Sequence, residues 1–127
     1  MRAYVDSDVL IWHLRGEPKA TAFLKRLRNS GEYELWTGAL QRAEIIFFMR
    51  QGEVEATEWF LAQFSTAPVN QKIVDAAGVL FRKWKPSHGI DVNDSILAAT
   101  AMETGGLIFT LNVKHFPMEG LTVKRAW

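Results

Sequence analysis

Three acids and a polar pair are the residues of this chain with chemistry to offer. Asp6 ends the short apolar run Arg2-Ala3-Tyr4-Val5 and opens Asp6-Ser7-Asp8, a triplet that favours turns and caps over helix interiors. Glu44 lies four residues after Leu40 and three before Phe47, at the border of an apolar stripe. Asp94 precedes Leu97 by three and Ala98 by four, on a face of small residues where an acid needs a partner. Thr110 and Asn112 follow the apolar triplet Leu107-Ile108-Phe109. Each acid also has a plain structural reading. Asp6 or Ser7 caps a helix, Asp91 caps another with Asp94 in its first turn, and Glu44 pairs with Gln41 or Arg42 or turns to solvent. One geometry serves all of them as chemistry: Asp6 beyond the first strand, Asp94 at a helix start, Glu44 from a facing helix, and Thr110 with Asn112 beyond a later strand. Three carboxylates brought together without a cation raise one another's pKa. There is no cysteine, and the histidines are scattered at 13, 88 and 115, so the donors are oxygens and point to Mg²⁺ or Mn²⁺ rather than zinc. The expected reaction is hydrolysis of a phosphodiester by metal-activated water.

The elements that must position these residues alternate. Tyr4-Val5 reads as a strand, and Val9, Leu10 and Trp12 resume at helical spacing. Arg15-Gly16-Glu17-Pro18 is a turn, and Ala20, Phe23, Leu24 and Leu27 stripe an amphipathic helix whose Lys25, Arg26 and Arg28 form a solvated face. Tyr33-Glu34-Leu35-Trp36 is a second strand, with Thr37-Gly38 as the cap of a helix over 38–51. A helix from Val54 to Phe64 completes a hairpin rich in rings: Phe47, Phe48, Trp59, Phe60 and Phe64. These rings either fill the hairpin's own seam or bury against another chain. Ala67-Pro68-Val69 is an edge strand or connector, and Gln71 to Trp84 a further helix. Its end, Arg82-Lys83-Trp84-Lys85-Pro86-Ser87-His88, is either a solvated helix terminus or a grip on a sugar-phosphate backbone with a ring to stack on an unpaired base. Gly105-Gly106 closes the helix that Asp91 opens, and 121–124 is the last strand.

Composition bounds the function. At 127 residues, with 48% hydrophobic and 23% charged, the chain is one domain over 1–127 with no repeat or low-complexity segment. The absence of cysteine fits a reducing compartment, and no run approaches the roughly 20 apolar residues of a bilayer span, so a cytoplasmic, non-membrane protein is expected. A formal charge of +1 is too small to hold a polyanion by bulk electrostatics, which leaves a local patch or a metal to do so.

Together, Tyr4-Val5-Asp6-Ser7-Asp8-Val9-Leu10-Ile11, Leu40-Gln41-Arg42-Ala43-Glu44-Ile45, Asp94-Ser95-Ile96-Leu97-Ala98-Ala99-Thr100-Ala101 and Thr110-Leu111-Asn112-Val113-Lys114-His115-Phe116 resemble the PIN-domain ribonucleases, specifically the VapC-type toxins of toxin–antitoxin pairs. The resemblance spans nearly the whole chain. It implies a three-layer α/β/α fold with a central, mostly parallel sheet of four to five short strands and a protruding helical hairpin. It also implies an Mg²⁺- or Mn²⁺-dependent endoribonuclease, an RNA substrate, frequent homodimerisation and inhibition by a cognate antitoxin. Asp6, Glu44 and Asp94 look like the family's core acids, the metal ligands, and Thr110 like its supporting hydroxyl. Where the family often has a fourth acid, this chain has Asn112 and His115. That departure puts a second metal in question, with Asp8 and Asp91 as acids that partly replace it. Two other readings stand beside this one. Asp6-Ser7-Asp8-Val9 also resembles the start of a haloacid dehalogenase-like phosphatase, with Asp6 as nucleophile, although the chain is short for that fold and lacks its closing acids. Alternatively, the chain is a non-catalytic partner-binding module whose acids are caps.

Overall fold

Apolar residues alternate in facing along the two inner strands, and that alternation organises the molecule, described here by a computed structural model of residues 1–127. In β1 (Arg2–Val5), Ala3 and Val5 join one buried cluster and Tyr4 the other. In β4 (Leu107–Thr110), Leu107 and Phe109 join the first and Ile108 the second. The first cluster is completed by α1 (Ser7–Leu14), α2 (Pro18–Asn29), α3 (Ala39–Ile46) and α4 (Val54–Leu61). The second is closed by α5 (Gln71–His88) and α6 (Val92–Thr104), which supply Leu97, Ala98 and Ala101 with Leu80 and Trp84 at the margin. The product is three layers, helices on both faces of a sheet, with each fully buried Leu contributing about 1.5–3 kcal/mol.

The sheet has five strands in the order β3-β2-β1-β4-β5, every neighbouring pair parallel, where β2 is Glu34–Gly38, β3 Ser65–Ala67 and β5 Val123–Arg125. The chain steps outward from β1 to β3 through α1–α4, then returns through α5 and α6 to place β4 on the other side of β1. Right-handed crossovers running in opposite directions put their helices on opposite faces, which is why the layers divide as they do. The direction reverses at β1. A crevice therefore opens beyond the carboxyl ends of β1 and β4, the place where open parallel sheets bind ligands.

Several element ends differ from the sequence expectation. β2 extends through Thr37 and Gly38, paired with Thr66 and Ala67, and the Thr37 hydroxyl donates to the Val5 carbonyl at 3.0 Å. Thr37 thus ties two strands and caps nothing, while Gly38 is the α3 N-cap with no side-chain bond. A Cβ on Gly38 would strike the Gln41 Oε1, so the close packing of α3's first turn requires glycine. α3 ends at Ile46 and not near 51, because Phe47 and Phe48, 79% and 82% exposed, find no core to pack on. α4 ends at Leu61. The rings of this hairpin divide: Phe60 and Phe64 are buried, whereas Trp59 is 72% exposed. β3 is an edge strand but occupies Ser65–Ala67, stopping before Pro68, which has no amide to donate. α5 runs past Trp84 through Pro86 to His88, since a proline in the last turn forfeits a single backbone bond, and Gly89 ends it in the left-handed region at φ 61°. The last strand lies at Val123–Arg125, two residues later than expected. No helix is long and apolar enough to cross a membrane.

Candidate active site

Asp6 is the first residue past β1 and the N-cap of α1, held extended at φ −69°, ψ 155°. One carboxylate oxygen accepts the Ser7 amide at 2.8 Å, and the other accepts the Thr110 hydroxyl at 2.8 Å across the crevice from the end of β4. Thr110 is fully buried, and its Oγ1 lies 3.3 Å from Asp8 Oδ2 while accepting the Asn112 amide at 3.0 Å. A hydroxyl has one proton, so the shorter contact, to Asp6, takes it. Asp8 is secured instead by the Leu111 amide at 3.1 Å, with Asn112 Nδ2 at 3.5 Å. The β1 and β4 ends are thus locked by one hydroxyl and two carboxylates.

Glu44 reaches the same crevice from α3. It accepts the Ser7 hydroxyl at 2.8 Å and Asn93 Nδ2 at 2.9 Å, so one carboxylate joins α1, α3 and α6. Asp94 takes part in a capping box with Asp91: the Asp94 amide donates to Asp91 Oδ1 at 2.7 Å, and the Asp91 amide to Asp94 Oδ2 at 3.3 Å. The cap reading of Asp91 is therefore correct, and it positions Asp94 as well. His115, on a 3₁₀ turn over Val113–His115, places Nδ1 3.3 Å from Asp94 Oδ2.

Electrostatics set these acids apart from ordinary surface carboxylates. Burial, with Asp8's charge second and Asp94's smaller, pushes Asp6 up to about 7 against the lowering by its Thr110 and Ser7 hydrogen bonds. Burial likewise raises Asp94, reinforced by the charges of Asp91 and Glu44, and burial raises Asp8. No Lys or Arg pairs with any of the four: the chain's ion pairs are Arg50–Glu53, Lys72–Glu103 and the His115–Asp94 contact. Buried, mutually repelling, oxygen-only donors without a protein cation fit a hard divalent ion. They do not form a ready cage, for no three Asp, Glu or His side chains stand together as a set that holds an ion. The cause is visible in the contacts. Ser7, Asn93, Asp91 and Thr110 each hold a carboxylate to its own element, and repulsion opposes closer approach.

The best-formed concavities lie beside the acids, not on them. A groove of about 690 Å³ between α1 and the α3–α4 connection is lined by Ile11, Leu14, Ile45, Phe48 and Met49 and has Glu44 in its wall. A neighbouring one of about 450 Å³ is walled by His13, Leu24, Trp59 and Phe60. Burial lowers the pKa of His13 there.

All five sequence-derived site residues border this crevice, with Asp6 and Thr110 in direct contact and Glu44 and Asp94 on its opposite wall. Asn112 turns its side chain toward Asp8, away from Asp94. Sequence reasoning missed Ser7 as Glu44's donor and Asn93 as its second. Asn93 carried no signal beyond adjacency to Asp94; Ser7 lay in plain view but read as a cap.

The PIN domain family matches residues 3–116 of the chain. Ribonuclease VapC19 of Mycobacterium tuberculosis is 38% identical over 115 residues, 90% of this chain and 91% of its own. Ribonuclease VapC10 of the same organism is 39% identical over 115 residues, 90% of this chain and 85% of its own. Among solved structures, VapBC-1 from nontypeable Haemophilus influenzae superposes with a TM-score of 0.79 at 21% identity, covering 99% of this chain and 98% of that one. VapBC2 from Rickettsia felis, bound to a DNA fragment from its promoter, gives 0.80 at 18% identity, over 100% and 99%.

Proposed function

The chain belongs to the PIN-domain family and is closely related to the VapC-type toxin ribonucleases of toxin–antitoxin systems, and from that premise we propose that it is a divalent-metal-dependent endoribonuclease acting as the toxin of such a pair. The observation that carries the reading is the crevice at the β1–β4 switch point, where Asp6, Asp8, Glu44 and Asp94 gather with no Lys or Arg among them. Charge of that kind is costly in a structure unless a bound cation offsets it. Asp6, Asp94 and Glu44 are the residues that would hold Mg²⁺ or Mn²⁺. When bound, such an ion supplies Lewis acidity at the scissile phosphate and lowers the pKa of a water. Thr110 orients Asp6 by its hydroxyl, Ser7 and Asn93 fix Glu44, and Asp91 sets the first turn from which Asp94 projects. Asn112, turned to Asp8, steadies the β4 end.

The whole of 1–127 serves as one catalytic domain. An antitoxin segment with an apolar face fits the groove floored by Ile11, Leu14 and Ile45, and a basic side chain on it would reach Glu44 in the wall. The exposed Phe47, Phe48 and Trp59 suit self-association into a homodimer. Two readings lose ground. Asp6 as a phosphatase nucleophile is at odds with both its oxygens being held in a buried site. Acids serving only as caps leave Glu44, which caps nothing, unexplained. Induced expression in a bacterial host tests the proposal: the parent should arrest growth and cut RNA, and Asp94→Asn should do neither. Growth arrest by both to the same degree would overturn it.

A further inference from the structure

We propose that His115 supplies a nitrogen donor to the divalent ion of the acidic crevice and biases the site toward Mn²⁺ over Mg²⁺. The inference rests on the metal-dependent reading above and adds to it a ligand and a selectivity. Asp6, Asp8, Glu44 and Asp94 offer oxygen alone. His115 is the one imidazole beside them, its Nδ1 3.3 Å from Asp94 Oδ2. Neighbouring donors on an octahedral ion with bonds of about 2.1 Å stand roughly 3 Å apart, so this spacing is close to that of two ligands sharing an ion.

The ring is held in place by its backbone. The His115 amide donates to the Asn112 carbonyl at 2.9 Å and the Phe116 amide to the Val113 carbonyl at 3.0 Å, while Phe116 is buried at 4% exposure. The side chain is 32% exposed, which leaves it accessible from solvent. Asn112, the other polar side chain of the turn, leans to Asp8 and leaves the Asp94 side to His115. The remaining histidines are engaged elsewhere, His13 with Thr21 and Phe60, His88 with Ser87.

The same contact has a second use, a hydrogen bond from Nδ1–H that merely orients Asp94. The two uses differ in what they select. Imidazole favours Mn²⁺ over the harder Mg²⁺, which keeps its waters, whereas a ring that only orients a carboxylate affects both ions alike.

The test is calorimetric titration of the full chain with Mn²⁺ and, separately, Mg²⁺, for the parent, His115→Gln and His115→Asp, with electron spin-echo spectra of the Mn²⁺-loaded forms. Expected is nitrogen hyperfine coupling in the parent that disappears in both variants, with the Mn²⁺-to-Mg²⁺ affinity ratio falling about 10-fold or more. His115→Asp should retain Mg²⁺ binding, which separates lost selectivity from a lost fold. Binding of both ions by the parent without nitrogen coupling, or an unchanged affinity ratio in both variants, overturns the assignment and leaves the metal-dependent reading standing. Binding of neither ion by the folded parent overturns both.

Discussion

Replacing Asp6 by Asn should make the metal-free protein more stable at neutral pH, even though it removes a residue from the candidate site. Burial raises the Asp6 pKa from 3.8 to about 7. In the unfolded chain the carboxyl gives up its proton near 3.8, and in the folded chain near 7. Between those values the folded state binds more protons, so stability is fully present below the unfolded pKa and is lost as pH rises through the folded one. The difference corresponds to roughly 4 kcal/mol at pH 7 and above, and relaxation around the charge reduces it to about 2–4 kcal/mol. Asn removes the ionisation and keeps the hydrogen bonds. Its Oδ1 can accept the Ser7 amide, and its Nδ2 can donate to Thr110 Oγ1, whose proton is then free to turn to Asp8. Asp8 and Asp94 keep their own raised pKa values in both proteins, so their pH dependence largely cancels in the comparison. Urea unfolding in chelator across pH about 4.5 to 8 reads the effect. The two stability curves should meet near the acid end and separate by about 2–4 kcal/mol near pH 7.5, with the variant higher. Saturating Mg²⁺ should stabilise the parent alone and narrow or reverse the gap. Parallel curves across the range would refute the reasoning that Asp6 carries a buried, uncompensated charge.

Other outcomes follow from the same contacts. Thr110→Val keeps the shape but leaves buried Asp6 and the Asn112 amide without a partner, so it should cost about 1–3 kcal/mol in urea unfolding and lower RNA cleavage. Metal affinity measured by calorimetry should rise between pH about 6 and 8 as Asp6 loses its proton, by up to about 10-fold per pH unit for each proton released. Gly106→Ala would put a Cβ 2.6 Å from the Tyr4 ring and 3.0 Å from the Arg2 carbonyl, so its melting temperature should drop while residual RNA cleavage at low temperature persists. Phe47→Ser with Phe48→Ser should change monomer stability by no more than about 0.5 kcal/mol and abolish concentration-dependent self-association in sedimentation.

How much of this was legible in the sequence depended on whether a local pattern carried the information. Asp6 was legible because an apolar run stops on it, and Asp94 because the first turn of a helix is fixed by its cap; both are local signals that the fold obeys. The alternating faces of Ala3, Tyr4 and Val5 likewise announced a strand buried on both sides. Glu44's place at the edge of a stripe was readable, but its partners were not, since Ser7 and Asn93 lie 37 and 49 residues away and meet it only through packing. Thr37 misled for a related reason. Its type suits a cap, yet β2 extends through it because Thr66 and Ala67 offer a ladder that no local pattern reveals. The early end of α3 is of the same kind, a helix that continues in sequence pattern but has nothing to bury past Ile46.

The most direct measurement is cleavage of total RNA by the purified chain with Mg²⁺ or Mn²⁺, set beside chelator and beside Asp6→Asn and Asp94→Asn. Expected is cutting at defined ends that requires the ion and is lost in both variants, although Asp6→Asn is folded and, without metal, the more stable protein. Equal cutting in chelator, or by both variants, would contradict a metal-dependent acidic site at the β1–β4 crevice.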